Sequence, residues 1–198
     1  MYPSSLNNVI ESFKKLPGVG EKSAERNALA LLELSDEDID NFVNAIKECK
    51  SKLHRCKICG HITDHDICNI CESQYRKNNL ICVVEDYKSV FMFEKTGNYD
   101  GKYHVLNGVI SPIDGITPDE LNIDSLINRL SKIKGDKEII IALKPSIEGE
   151  ATTMYLKKIL ENLDVRITRL SYGIPMGVEI DYLDSITLDR ALQDRKDI

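Results

Sequence analysis

The sequence has 198 residues, of which 42% are hydrophobic and 29% charged, with a formal net charge of -6; this is the composition of a folded chain and excludes wholesale disorder. At about 100 to 200 residues per domain the length admits one large domain or two small ones. No run of about 18 apolar residues is present to span a bilayer, and Tyr2-Pro3-Ser4 has neither the charged nor the apolar region of a signal peptide, so a cytoplasmic location is expected.

Taken in order, Leu6, Val9, Ile10, Phe13 and Leu16 recur at three- and four-residue spacing, which predicts one apolar helix face running into Pro17. Pro17-Gly18-Val19-Gly20 stops that helix. A second begins near Glu21 and carries Ala24, Ala28, Leu31 and Leu32, with Lys22 and Arg26 four apart on an exposed face. Ser35 followed three residues later by Asp38 resembles a capping box. A third helix is expected from there, burying Ile39, Phe42, Val43, Ile46 and Leu53.

Helix, Leu-Pro-Gly-Val-Gly, helix is the pattern of the helix-hairpin-helix family, which this segment resembles. One reading is that Pro-Gly-x-Gly only ends one helix and starts another. The other is that Gly18 and Gly20 bare the backbone N–H groups of a helix start to a phosphate, a contact indifferent to base sequence. Lys22 and Arg26, placed to neutralise a neighbouring phosphate, tilt the choice toward DNA. Basic residues concentrate here, in Lys14, Lys15, Lys22 and Arg26, and again in Lys47, Lys50, Lys52, Arg55 and Lys57, whereas the acidic surplus lies mostly elsewhere.

Cys56-Lys57-Ile58-Cys59 and Cys68-Asn69-Ile70-Cys71 are two C-x-x-C pairs eight residues apart. Each such turn brings two sulfurs to one ion at about 2.3 Å, and the second pair completes a tetrahedral set of four thiolates. In a reducing compartment metal ligation is the expected role of such cysteines, not a disulfide. A closed four-cysteine site has no open coordination position, so one structural Zn²⁺ per chain is expected. His61 and His65, in the loop between the pairs, fall to solvent or to supporting positions. Cys49 and Cys82 lie outside the quartet and read as small buried apolar residues.

From Leu80 the pattern changes. Leu80 to Val84 is an apolar run ending in Glu85-Asp86, as for a strand buried on both faces. A helix from about Ser89 to Lys95, a strand from Tyr103 to Leu106, a Gly/Pro-rich loop and a helix bearing Leu126, Ile127, Leu130 and Ile133 follow. Next come a strand from Glu138 to Leu143, a loop holding Glu148-Gly149-Glu150, a helix from about Ala151 to Asn162 and a strand from Val165 to Leu170. Strands alternating with helices imply right-handed crossovers and a mostly parallel sheet.

Val84-Glu85 at a strand end and Glu148-Gly149-Glu150 after a later strand resemble the signature positions of the Toprim domain of topoisomerases and primases. In active members the resemblance implies a glutamate for acid–base chemistry and an Asp-x-Asp pair for magnesium. Here Glu85, Glu148 and Glu150 remain, while Lys144 and Ser146 stand where the aspartates would be. A fixed ammonium in place of a metal ligand argues against strong Mg²⁺ binding and against catalysis.

Helix-hairpin-helix, four-cysteine finger, Toprim and the closing stretch from Tyr172-Gly173-Ile174-Pro175 to Leu188-Asp189-Arg190-Ala191-Leu192 resemble, over essentially the full chain, the bacterial RecR family of recombination mediators. The resemblance implies an α/β multidomain protein: a helix-hairpin-helix bundle over 1–55, a C4 zinc finger over 56–71, a Toprim domain over 79–174 and a C-terminal tail over 175–198 that contacts other subunits. It further implies a non-enzymatic DNA-repair role with the RecF and RecO proteins, loading recombinase at single-stranded gaps. Sequence-independent DNA binding, assembly into a homodimer or homotetrameric ring, and a cytoplasmic, nucleoid-associated location belong to the same expectation. A metal-dependent Toprim enzyme acting on DNA phosphodiesters is the alternative.

Overall fold

The computed structural model describes residues 2–171, 173–174 and 176–195. Met1, Tyr172 and Pro175, which belong to the opening and closing motifs, lie outside the described residues. The chain divides into two compact units, residues 1–53 and 54–198.

The first unit is helical. Helix α1 (Ser4–Lys14) packs Ile10 against Ala24 and Ala28 of α2 (Glu21–Leu31), with Leu6, Val9, Phe13 and Val19 around them. Two alanines on one face let the helices approach closely. Between them Gly18 adopts φ +80°, a left-handed conformation that a side chain would strain. Helix α3 (Asp36–Lys52) starts where Ser35 Oγ accepts the Asp38 N–H at 3.1 Å. It departs from expectation in its packing. No α3 residue is fully buried, Phe42, Val43, Ile46 and Leu53 are exposed, and so is Cys49. An apolar stripe needs a covering layer to be buried, and this unit supplies none for α3.

The second unit opens with a two-stranded antiparallel ribbon, β1 (His54–Arg55) with β2 (Ile62–Thr63), and the short helix α4 (Asn69–Glu72). A four-stranded, wholly parallel sheet follows in the order β4-β3-β5-β6. It comprises β3 (Leu80–Val84), β4 (Lys102–Val105), β5 (Glu138–Ala142) and β6 (Arg166–Arg169). Crossovers run through α5 (Tyr87–Glu94), α6 (Ile123–Lys132) and α7 (Ile147–Leu160). Alternation along β3 separates two cores. Ile81 and Val83 join Leu126, Leu130, Leu156 and Leu160 on one face; Cys82 and Val84 join Val90, Tyr103 and Val105 on the other.

Two helices begin earlier than their apolar pattern suggests, because polar caps set their starts. Asp86 accepts the N–H groups of Lys88 and Ser89 at 2.6 and 3.2 Å, so α5 starts at Tyr87. Ser146 accepts the Gly149 N–H at 3.2 Å, so α7 starts at Ile147. Glu148 and Glu150 therefore lie in the first turns of a helix and not in a loop, where their charge complements the helix dipole. The last helix, α8 (Ser185–Gln193), has no fully buried residue. It is tied to the sheet unit by charge: Arg190 to Glu150 at 3.0 Å and Asp194 to Arg169 at 3.3 Å.

Candidate functional site: a cysteine quartet, a glycine hairpin and an acidic corner

Cys56 follows β1, Cys59 sits on the tight turn before Gly60, Cys68 is the N-cap of α4 and Cys71 lies within that helix. The turn is closed by the Gly60 N–H to the Cys56 carbonyl at 3.0 Å, with Gly60 at φ +75°. A Cβ there would meet the Asn122 amide at 3.0 Å and the Val105 carbonyl at 3.1 Å, so glycine is required both by the turn and by the sheet pressed against it. The four sulfurs lie within 4.8 Å of one another and all four cysteines are buried. Cys59 and Cys68 Sγ stand 3.6 Å apart, close to the roughly 3.8 Å edge of a tetrahedron with Zn–S bonds of about 2.3 Å. The donor set fits Zn²⁺.

The main chain around the quartet is already oriented. Cys68 N–H points at Cys56 Sγ at 3.3 Å, and Cys56 N–H bonds the His61 carbonyl at 2.7 Å. Hydrogen bonds from Cys59 and Cys71 pull the Cys68 thiol well below its ordinary pKa, while the bond to Cys68 drives Cys59 up. A divalent ion bound by all four sulfurs would release their protons and leave the site with a net negative charge. His61 is buried, edge-on to Phe91 with ring centroids 4.9 Å apart, and burial lowers its pKa. Its ring supports the fold of the finger; His65 stays exposed beside Asp64. The finger is fastened to the sheet by the Val105 N–H to the Cys59 carbonyl at 2.7 Å and by Lys102 Nζ to the Cys71 carbonyl at 2.6 Å.

In the first unit, Gly20 is the N-cap of α2 and supplies no side-chain cap. A Cβ at Gly18 or Gly20 would meet nothing within 4 Å, so the hairpin faces open space. Lys22 and Arg26 are both exposed on the helix that follows, and neither forms an ion pair among the described residues. Gly18, Gly20, Lys22 and Arg26 thus share one helix entry.

The acidic positions of the sheet domain do not converge. Glu85, directly after β3, pairs with Lys144 at 3.3 Å. Glu150 faces Arg190 and Arg169 at 3.0 and 3.6 Å. Glu148 is half-buried, and a hydrogen bond to Ser146 holds its carboxyl below the usual range. Among the described residues, only the four cysteines bring three or more donor residues within ligand distance.

Four family models match the chain: RecR, helix-hairpin-helix over residues 6–50; the RecR zinc finger domain with four cysteine ligands over 53–73; Toprim domain over 79–171; and RecR, C-terminal over 173–196. A protein of Natranaerobius thermophilus is 43% identical over 197 residues, covering 100% of this chain and 98% of the relative. One of Lactobacillus johnsonii is 46% identical over 197 residues, covering 100% and 99%. One of Lactobacillus helveticus is 45% identical over 194 residues, covering 98% of each.

The chain belongs to the RecR family.

All three relatives carry the name Recombination protein RecR, which is not the name of an enzyme. The family's zinc finger is the quartet described above, its helix-hairpin-helix is α1 to α3, and its Toprim domain is the parallel sheet with α5 to α7. No described helix is long and apolar enough to cross a membrane. The helix caps at Asp86 and Ser146 escape the apolar pattern; their only signal in the sequence is an N-cap residue type, Asp or Ser, standing just before each helix.

Proposed function

We propose that this RecR-family chain is a non-catalytic DNA-binding recombination mediator that works in DNA repair with the RecF and RecO proteins, promoting recombinase loading at single-stranded gaps. The observation that carries the DNA-binding part is the uncapped start of α2 after Leu16-Pro17-Gly18-Val19-Gly20, open to solvent and flanked by exposed Lys22 and Arg26. Free N–H groups at a helix start attract a phosphate, and two cations one turn apart neutralise the next. Such a contact fixes the protein on the backbone and reads no base.

A single contact of this kind is weak in a chain of net charge -6. The family resemblance supports assembly into a homodimer or a ring, in which several copies of the hairpin act together through effective concentration. The exposed apolar face of α3 and the exposed Ile180, Tyr182, Ile186 and Leu192 of the C-terminal segment support subunit contacts. At the Toprim corner, the Lys144 ammonium against Glu85 supports a non-catalytic role and weak Mg²⁺ binding at most. Magnesium-dependent nicking that disappears in Glu85→Gln would instead establish the phosphodiester enzyme.

The test is binding to plain duplex DNA across a salt series, native protein against Lys22→Ala/Arg26→Ala. The expected outcome is about tenfold weaker binding at low salt and a log–log salt slope shallower by up to ~1.8, about 0.9 for each phosphate left without its cation. Equal binding and equal slopes in the two proteins would remove the hairpin from the interface.

A further inference from the structure

Within the second unit a cleft of about 530 Å³ opens between the finger and α6. Four cations line it, Lys57, Lys102, Arg129 and Lys132, together with the neutral hydrogen-bonding side chains of Ser125 and Asn128. No carboxylate stands among its lining residues. The amphipathic pattern of α6 creates this wall. Ile123, Leu126 and Leu130 turn inward to the core, and Ser125, Asn128, Arg129 and Lys132, spaced i, i+3, i+4 and i+7, share the opposite face.

The two inner cations are held in place. Lys102 is only 7% exposed and donates to the Cys71 carbonyl at 2.6 Å; Arg129 donates to the Tyr103 carbonyl at 2.7 Å. These bonds orient the cations without neutralising them; Arg129 also acts electrostatically on Cys71 of the quartet. Among the described residues Lys102, Arg129 and Lys132 form no ion pair. Lys57 does pair with Asp66, at 2.6 Å, but both side chains are more than two-thirds exposed and the pair is heavily screened. Apart from the cysteine quartet beside Cys71, this partly desolvated charge has little counter-charge, which carries a cost. In a chain with an acidic surplus, spending it around one ligand-sized cleft calls for an anion there.

We propose that this cleft is a phosphate site that takes the backbone of a single DNA strand, carried by the second unit alone and acting in addition to the hairpin. A guanidinium fork beside ammonium groups and side-chain amides matches the oxygens of a phosphodiester. The lining offers no aromatic ring on which a base could stack, which favours backbone phosphates over a free nucleotide. The proposal rests on the reading of the chain as DNA-binding, but not on the hairpin's part in it.

The experiment uses the full chain and a fluorescein-labelled single strand of about 30 nucleotides, long enough to cover several phosphate sites, followed by anisotropy across a salt series. Lys132→Glu and Asn128→Asp are exposed changes, expected to leave zinc content and melting temperature unaltered. Lys132→Glu is expected to weaken strand binding about five- to tenfold at low salt and to reduce the log–log salt slope by about 0.7. Asn128→Asp is expected to act in the same direction. The same ratio should persist in the Lys22→Ala/Arg26→Ala background, so a hairpin that fails its own test leaves this result standing. Unchanged affinity and slope in both cleft variants would overturn the proposal. A calorimetric titration with pyrophosphate and ATP supplies the remaining arm. If either binds and is lost in Lys132→Glu while strand affinity is untouched, the cleft serves a free phosphate ligand and the DNA assignment is overturned.

Discussion

Gly149 stands at the third residue of α7, where any Cβ would lie inside the van der Waals surface of the Lys144 carbonyl oxygen. Its φ is unexceptional; the requirement is space, because the backbone of residues 144–146 folds directly over the helix start. Gly149→Ala is therefore expected to cost about 2 kcal/mol, within the usual range for overpacking a rigid site, read as a lower midpoint in urea denaturation. An unchanged midpoint would mean that the Lys144 turn yields freely. His104 supplies a pH dependence. It is fully buried, and Nε2 lies 2.7 Å from the Asn122 carbonyl, so Nε2 carries the hydrogen and Nδ1 is left without a hydrogen-bond partner among the described residues. Burial pushes its pKa down to about 4. Below pH 6.5 the unfolded chain takes up a proton that the folded chain refuses until about pH 4. Stability should thus fall as pH drops through that window, by at most about 3 kcal/mol from this group. His104→Gln should flatten the slope between those limits, and an identical pH profile for the two proteins would assign the acid sensitivity elsewhere.

Among the elements, the finger shows most plainly how a short segment depends on its surroundings. Two two-residue strands and a four-residue helix have almost no core besides the sulfurs, with Ile58, Ile67 and Ile70 packed around them. Zinc ligation would replace that missing core. Chelation, or Cys71→Ser, is expected to lower the melting temperature by roughly 10 °C or more and to expose the Val105 amide, now bonded to Cys59, to hydrogen exchange. A chelated protein that melts at the native temperature with Val105 still protected would rule out a structural metal. The C-x-x-C spacing makes this element legible in the sequence, because local turn geometry alone brings each pair together. The same local logic placed β3, β4, β5 and β6 within one or two residues. It misplaced the start of α7, since a capping serine outweighs the first apolar residue in setting a helix start. It also gave α3 a buried face, since periodicity shows that a stripe exists and says nothing about what covers it.

For the whole molecule, charge and exposed apolar surface point the same way. Under the proposed DNA-binding role, a chain of net charge -6 must concentrate its cations and repeat them, and the exposed Phe42, Val43 and Ile46 on α3 offer surface for such repetition. If the proposed assembly uses this face, Ile46→Glu is expected to lower the mass seen in sedimentation velocity while preserving helix content and zinc. An unaltered mass would exclude this face from assembly. The sequence by itself determined the order of modules, the quartet, the hairpin glycines and the parallel alternation, all of which follow from spacing along a few consecutive residues. Only the tertiary structure decided that Glu85 faces Lys144, that Glu150 turns to Arg169 and Arg190, and that Lys57, Lys102, Arg129 and Lys132 surround one cleft. Those meetings join segments tens of positions apart, which come together only after the sheet's parallel crossovers have formed.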